Sequence, residues 1–251
     1  DYTIFMALRA DSGDQSWVEW PEELRLRDPK ALADARERLK DDIATLTFMQ
    51  FVFFRQWAVL KGYANAKGIQ IFGDVPIFVA LNSADAWANA EGFQLDEQGR
   101  PIVVAGVPPD YFSETGQLWG NPLYDWERMA TDGFRWWIER FRSVYSLVDI
   151  ARIDHFRAFE DYWAVPADEE TAINGEWRPS PGRGLFAAVR EELGDVPIIA
   201  EDLGMITKDV DDLREELGFP GMTVLQFAFG SGPENLYLFF NDTATTEIYT
   251  G

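Results

Sequence analysis

A chain of 251 residues, 47% hydrophobic and 26% charged, carries enough apolar material for one large α/β domain or two small ones and is too hydrophobic for disorder. Its 22 basic and 43 acidic side chains give a net charge of −21, which leaves no basic stripe for phosphates and disfavours nucleic acid and anionic membrane surfaces as partners. With no cysteine and a single histidine, disulfides, thiol nucleophiles, Ser-His-Asp triads and multi-His metal sites all drop out, so any chemistry must come from carboxylates.

No apolar run approaches the roughly 20 residues that a membrane helix requires, and no signal peptide opens the chain. The chain starts at Asp1 without a Met and reads as a piece of something longer. Aromatic residues make up 15%, with ten Trp, and most of these rings belong in a core. A surplus is what a sugar-binding cleft uses, because the C–H face of a pyranose stacks on a ring.

In chain order, Asp28-Pro29 is a helix start, a capping carboxylate followed by proline at the first helical position. Leu32, Leu39, Ile43, Leu46, Met49, Phe53, Trp57 and Leu60 then recur at helical spacing, which predicts one or two amphipathic helices ending near Gly62 or Gly68. Residues 69–72 predict a buried strand with Asp74 just past it, followed by the apolar run 77–79. Residues 82–124 predict loop with short helices, and the breakers within 106–122 argue against regular structure there. So long a loop is more often functional than idle, and this one holds Asp110, Tyr111, Phe112 and Trp119. Phe134, Trp137, Ile138, Phe141, Tyr145 and Val148 mark the next amphipathic helix. It feeds the stretch 148–157, an apolar strand expected to be buried on both faces and to end in Arg152, Asp154, His155 and Arg157. A helix through Leu193 leads to a third strand, 197–200, which runs into Glu201 and Asp202. Thr207 caps a helix ending at Gly218, and a fourth strand is expected over 222–227.

Alternating helices and short strands imply a parallel sheet. A (β/α) barrel is preferred over a doubly wound sheet because Asp74, Asp154 and Glu201 would then converge on its C-terminal face. Two carboxylates at one site suit glycosidic bond cleavage, one protonated to release the leaving oxygen, the other to attack the anomeric carbon. Arg152, two residues before Asp154, is placed to hold that carboxylate charged and aimed. The apolar approach to Glu201 favours its protonated form. The residues alone leave two other readings open, acids that bind Mg²⁺ and a structural Asp–Arg pair at a strand end.

Four blocks carry a resemblance: Gly73-Asp74-Val75-Pro76-Ile77-Phe78-Val79-Ala80, residues 104–113, Ala151-Arg152-Ile153-Asp154-His155-Phe156-Arg157 and Ile199-Ala200-Glu201-Asp202-Leu203-Gly204. In this order they resemble the 4-α-glucanotransferases (amylomaltases or disproportionating enzymes), relatives of the α-amylases. The resemblance implies an α/β fold, a (β/α)8 TIM barrel that is incomplete here, its first and last strands missing. It places a helical insertion at about 21–62 and a substrate-covering loop at about 104–122. It implies a retaining double displacement on α-1,4-glucans and maltooligosaccharides, without metal or cofactor, in the cytoplasm. On the matching positions Asp154 is the nucleophile and Glu201 the general acid/base. Arg152, His155 and Asp74 support the cleavage subsite, and Asp110, Tyr111, Phe112 and Trp119 contact the glucan. A non-catalytic α-glucan-binding remnant and an α-glucan hydrolase are the alternatives.

The sequence departs from the family in three places. Leu81-Asn82 stands where the family pattern has His-Asp, removing a hydrogen-bonding group expected at the cleavage subsite. The family's third acid would fall beyond Gly251. The resemblance runs to about Leu238, and residues 239–251 read as a non-family tail of the kind that translated sequencing adapters produce.

Overall fold

A computed structural model of the chain describes residues 1–110, 113–224 and 226. Its N-terminal part is helical: α1 (Tyr2–Asp11), α2 (Glu22–Arg25), α3 (Pro29–Arg38) and α4 (Lys40–Asn65). Then come β1 (Phe72–Pro76), α5 (Ala84–Ala88), β2 (Val103–Val107), β3 (Gln117–Pro122), α6 (Trp126–Thr131) and α7 (Arg135–Leu147). The chain continues through β4 (Ile150–Asp154), β5 (Asp161–Pro166), β6 (Glu176–Pro179), α8 (Gly182–Leu193), β7 (Ile198–Ala200) and α9 (Lys208–Leu217). Asp28 starts α3 as its side chain dictates, accepting from the N–H groups of Lys30 (3.0 Å) and Ala31 (2.9 Å).

The strands form two sheets. One is parallel, ordered β1-β4-β7, with Asp74 opposite Arg152 and Pro76 opposite Asp154. Its crossovers are α7, between β1 and β4, and α8, between β4 and β7, the alternation expected of parallel strands. The other sheet is antiparallel, ordered β3-β2-β5-β6, and the sequence reading missed it. Within 106–122, where the breakers argue against regular structure, the end of β2 and all of β3 pair as a hairpin. The glycines allow the strands to approach: a Cβ on Gly106 would lie 2.5 Å from the Gln117 carbonyl oxygen, and one on Gly116 (φ +69) 2.3 Å from that of Val107.

Three further expectations shift. The first strand begins at Phe72, so Asp74 lies within β1 and residues 69–71 and 77–79 lie outside it. Asp149 explains the late start, because its carboxylate accepts the Ile71 N–H at 2.7 Å and Asn65 Nδ2 reaches the same carboxylate, also at 2.7 Å. β4 is buried on one face only: Ala151 and Ile153 are covered, whereas Ile150, Arg152 and Asp154 are half-open. Of the fourth strand expected over 222–227, Met222 to Val224 form no ladder, and Leu225 and Phe227 lie outside the described residues.

The main core gathers Trp137, Phe141, Phe156, Phe159, Leu185 and Phe186 between α7, α8 and the buried face of the parallel sheet. A second cluster packs Phe5, Leu8, Trp17, Trp20 and Trp87 beneath the N-terminal helices. Trp57 and Lys61 fasten α4 to the end of α7, donating to the carbonyls of Leu147, Tyr145 and Val148 at 2.7–2.9 Å. The expectation that no run reaches membrane length needs correction. α4 has 26 residues and is, by length and composition, long and apolar enough to cross a membrane, with none of its residues buried.

Candidate active site

The candidate site starts from the register of the parallel sheet. Pairing of β1 with β4 sets Asp74 beside Arg152. The Arg152 guanidinium grips Asp74 with two bonds, Nε to Oδ1 and Nη2 to Oδ2, both 2.9 Å. Nη2 also lies 2.9 Å from Oδ1 of Asp154 at the end of its own strand. One planar cation therefore holds two carboxylates, the fork geometry that arginine offers and lysine does not. Asp74 first, through its hydrogen bonds, holds Arg152 more firmly protonated than usual, against the pull of burial. The Asp154 side chain remains 44% exposed, open to a substrate.

Glu201 reaches the same place from β7. Its backbone N–H donates to the Ile153 carbonyl at 2.9 Å, so the end of β7 is tied to the end of β4. Its carboxylate accepts the N–H of His155 at 2.8 Å on one oxygen and that of Leu203 at 2.9 Å on the other. Burial, the largest influence, pushes the Glu201 carboxyl above its ordinary range, and the charge of Asp154 adds to it. Those two N–H bonds and Arg152 act the other way.

His155 adopts a left-handed conformation (φ 55), and its backbone N–H meets Glu201 from there. Its imidazole is buried and stays neutral, with a pKa lowered to about 4 by desolvation and then by Arg157. Among the described residues Nε2 finds no hydrogen-bond partner. The Trp119 ring stands edge-on to it, centroids 4.8 Å apart and planes at 84°. The β2–β3 hairpin thus brings Trp119 to the strand ends, and Asn121 ties that hairpin to the Val79 carbonyl at 2.9 Å. Asp110 is held in its turn by Ser113, whose N–H donates to the Asp110 carboxylate at 2.9 Å. Tyr111 and Phe112 lie outside the described residues.

Of the residues expected at the site, Asp74, Arg152, Asp154, His155, Glu201 and Trp119 are joined by this chain of contacts, and Asp110 sits at the hairpin's tip. Leu81 instead packs with the N-terminal cluster, its carbonyl accepting the Trp17 indole N–H at 2.7 Å.

Two supporting groups were not singled out from sequence. Arg157 is buried, with 6% of its surface exposed. It bonds the Met205 carbonyl in the loop after Glu201, pairs with Asp161 at 3.0 Å and stacks 3.8 Å above the Trp177 ring. Asp202 accepts the Met222 N–H at 2.7 Å and pairs with Arg214 at 3.2 Å. The Met205 and Met222 partners lie 48 and 20 residues away along the chain, so local pattern carries no sign of those two bonds.

Charged and hydrogen-bonding side chains gathered where parallel strands end define an α/β protein of the class that keeps its site on the C-terminal face of the sheet. The chain belongs to the 4-alpha-glucanotransferase family, whose profile matches residues 1–251, including the stretch 239–251 that reads as foreign and lies outside the described residues. It is 53% identical to the 4-alpha-glucanotransferase of Thermus thermophilus over 100% of its own length and 51% of that protein. Against the chloroplastic/amyloplastic enzyme of Solanum tuberosum the identity is 49%, over 100% of the chain and 44% of the relative. Amylomaltase from Streptococcus agalactiae, solved in complex with acarbose, superposes with a TM-score of 0.88 at 44% identity, over 91% of this chain and 46% of that one. The chain spans about half the length of the curated relatives it matches.

Proposed function

We propose that this chain supplies the acid pair of a 4-α-glucanotransferase, with Asp154 as nucleophile and Glu201 as general acid/base. The observation that carries this reading is the asymmetry between the two carboxyls. Asp154 is partly exposed and touches the Arg152 guanidinium, whereas burial drives Glu201 toward its protonated form. A retaining enzyme needs that division of labour. Glu201 protonates the oxygen of the departing glucan as Asp154 attacks the anomeric carbon. Glu201, now deprotonated, then takes the proton from the 4-hydroxyl of the acceptor sugar, which displaces Asp154. Asp74 fixes Arg152, and through it the approach of Asp154. Trp119, with Tyr111 and Phe112, offers rings for the sugar faces, and an aromatic cover of this kind favours a sugar acceptor over water.

The Mg²⁺ reading is disfavoured because Arg152 occupies both Asp74 and Asp154, and among the described residues no group of three or more His, Cys, Asp or Glu could hold a metal ion. The substrates in this reading are α-1,4-glucans and maltooligosaccharides, and the placement is cytoplasmic, although the plant relatives are named as plastid proteins.

The test is maltotriose disproportionation by the chain alone and by the chain joined to the Thermus thermophilus relative's residues outside the match. Glucose plus longer oligomers from the joined protein, lost in Asp154→Asn, is the expected result. Glucose alone would mean hydrolysis. A folded, silent joined protein that still binds maltooligosaccharide would leave only the binder.

A further inference from the structure

Three consecutive residues beyond β4 reach Glu201 and its loop in three different ways. The His155 N–H donates to one carboxylate oxygen of Glu201 at 2.8 Å, and the Phe156 N–H donates to the Glu201 backbone carbonyl at 3.1 Å. Arg157 reaches past Glu201 and bonds the Met205 carbonyl in the loop that follows. The other Glu201 oxygen is held from within that loop, by the Leu203 N–H at 2.9 Å. Little else fixes the loop. Gly204 has a positive φ of +88 with open space around it, and Met205 is 54% exposed. Among the described residues, Arg157 is the one group from another element that hydrogen-bonds to 203–206.

The Arg157 guanidinium is anchored in the antiparallel sheet. Nη2 pairs with Asp161 of β5 at 3.0 Å, and the group lies 3.8 Å over the Trp177 ring of β6. Nη1 is the nitrogen that goes to Met205. A buried Arg–Asp pair is a poor way to stabilise a fold, because taking the charges out of water offsets most of what their pairing returns. Here Arg157 is buried and its Nε finds no hydrogen-bond partner among the described residues, so its donors are not fully used. What the arrangement supplies is geometry: a flat fork with one prong on the sheet and the other on the loop.

We propose that Arg157 is a positioning residue for the acid/base, holding the loop after β7 to the antiparallel sheet so that the Leu203 N–H stays on the Glu201 carboxylate. The role rests on Glu201 being the proton donor, as proposed above, and Arg157 acts on it through Met205 and Leu203. Without Arg157 the loop is free to draw Leu203 away. Glu201 then loses a bond that favours its charged form and is no longer held toward the leaving oxygen. Asp154 and Arg152 of β4, with the His155 N–H, also face Glu201 and are unchanged by the substitution.

Two substrates separate positioning from stability in the joined protein described above. Maltotriose needs a proton on its leaving oxygen, whereas maltosyl fluoride does not. For Arg157→Met, kcat/KM on maltotriose is expected to fall about 10–100-fold, with little change on the fluoride. Arg157→Lys keeps a cation beside Asp161 but has a single nitrogen for two sites, so it should shift the ratio in the same direction. It also carries the comparison if Arg157→Met fails to fold. Val189→Ala, a core change on α8 away from the loop, should leave the ratio of the two substrates alone. A readout without catalysis accompanies these: carbon-13 titration of the glutamate carboxyls in the chain, with the Glu201 signal identified by its loss in Glu201→Gln. Its midpoint should lie higher in both Arg157 variants than in the parent. Equal losses on both substrates, a Lys variant indistinguishable from the parent, or an unmoved Glu201 midpoint would overturn the proposal. If the unaltered joined protein is inactive on both substrates, the function proposed above fails, and the titration still decides whether Arg157 positions Glu201.

Discussion

Two helices of this protein share a sequence pattern and meet opposite fates. α7 repeats aromatic residues at helical spacing and buries them: Trp137 and Phe141 are both at 0% exposure, packed against Phe159 and Phe186. α4 repeats them as faithfully and leaves Phe48, Phe51 and Phe54 in the open. Periodicity reports that a helix has an apolar face; it does not report what lies against that face. The same contrast divides the parallel sheet. Ala151 and Ile153 face the covered side under α7 and α8, and Arg152 and Asp154 face the open one. The candidate site occupies that open face, with the closed core as its floor.

Truncation tests this contrast with the largest effect. Trp137→Ala is expected to cost about 3–5 kcal/mol in urea unfolding, whereas Phe51→Ala should stay within about 0.5 kcal/mol. Equal costs would mean that α4 is covered after all.

Within the candidate site, His155 gives a pH signature. Its pKa falls from 6.5 unfolded to about 4 folded, so between those values the unfolded chain binds more protons and stability rises with pH. The stability held above pH 6.5 is lost as pH falls from there toward 4, by about 3 kcal/mol at most from a shift of this size. Melting measured against pH for the chain and for His155→Gln isolates that slope from the background of carboxylate titration. Identical slopes would place the imidazole in solvent.

Arg157→Met should cost about 2 kcal/mol, since Asp161 and the Met205 carbonyl lose a charged donor, and should alter the near-UV circular dichroism of Trp177. The smallest effect returns to α4. Gly62 sits within the helix with open space around it, so Gly62→Ala should raise stability by about 0.5–1 kcal/mol, read as a higher melting midpoint.

What the sequence showed follows from which forces are local. The Asp28-Pro29 start of α3, the Gly218 end of α9 and the Glu201 that follows β7 were legible because caps and short apolar runs are written in neighbouring residues. Asp74, Arg152 and Asp154 were legible as a group only through the spacing of parallel strands. The β2–β3 hairpin was not, because Gly106 and Gly116 look like breakers until Gln117 and Val107 are seen pressed against them. β1 starts later than the apolar run because the Ile71 N–H is taken by the Asp149 carboxylate, while the Ile71 carbonyl accepts the N–H groups of Asp149 and Ile150. Arg157 has one near partner, Asp161, but its bond to Met205 and the bond from Met222 to Asp202 join residues 48 and 20 apart in the chain.

The most direct test of the central claim, that Asp154 attacks and Glu201 supplies the proton, is to trap the intermediate. A maltooligosaccharyl fluoride, whose leaving group needs no acid, would be given to the Glu201→Gln form of the joined protein and the digest read by mass spectrometry. The account predicts a glycosyl adduct on the peptide containing Asp154, absent when Asp154→Asn is added. An adduct on another residue, or one that survives Asp154→Asn, would contradict it.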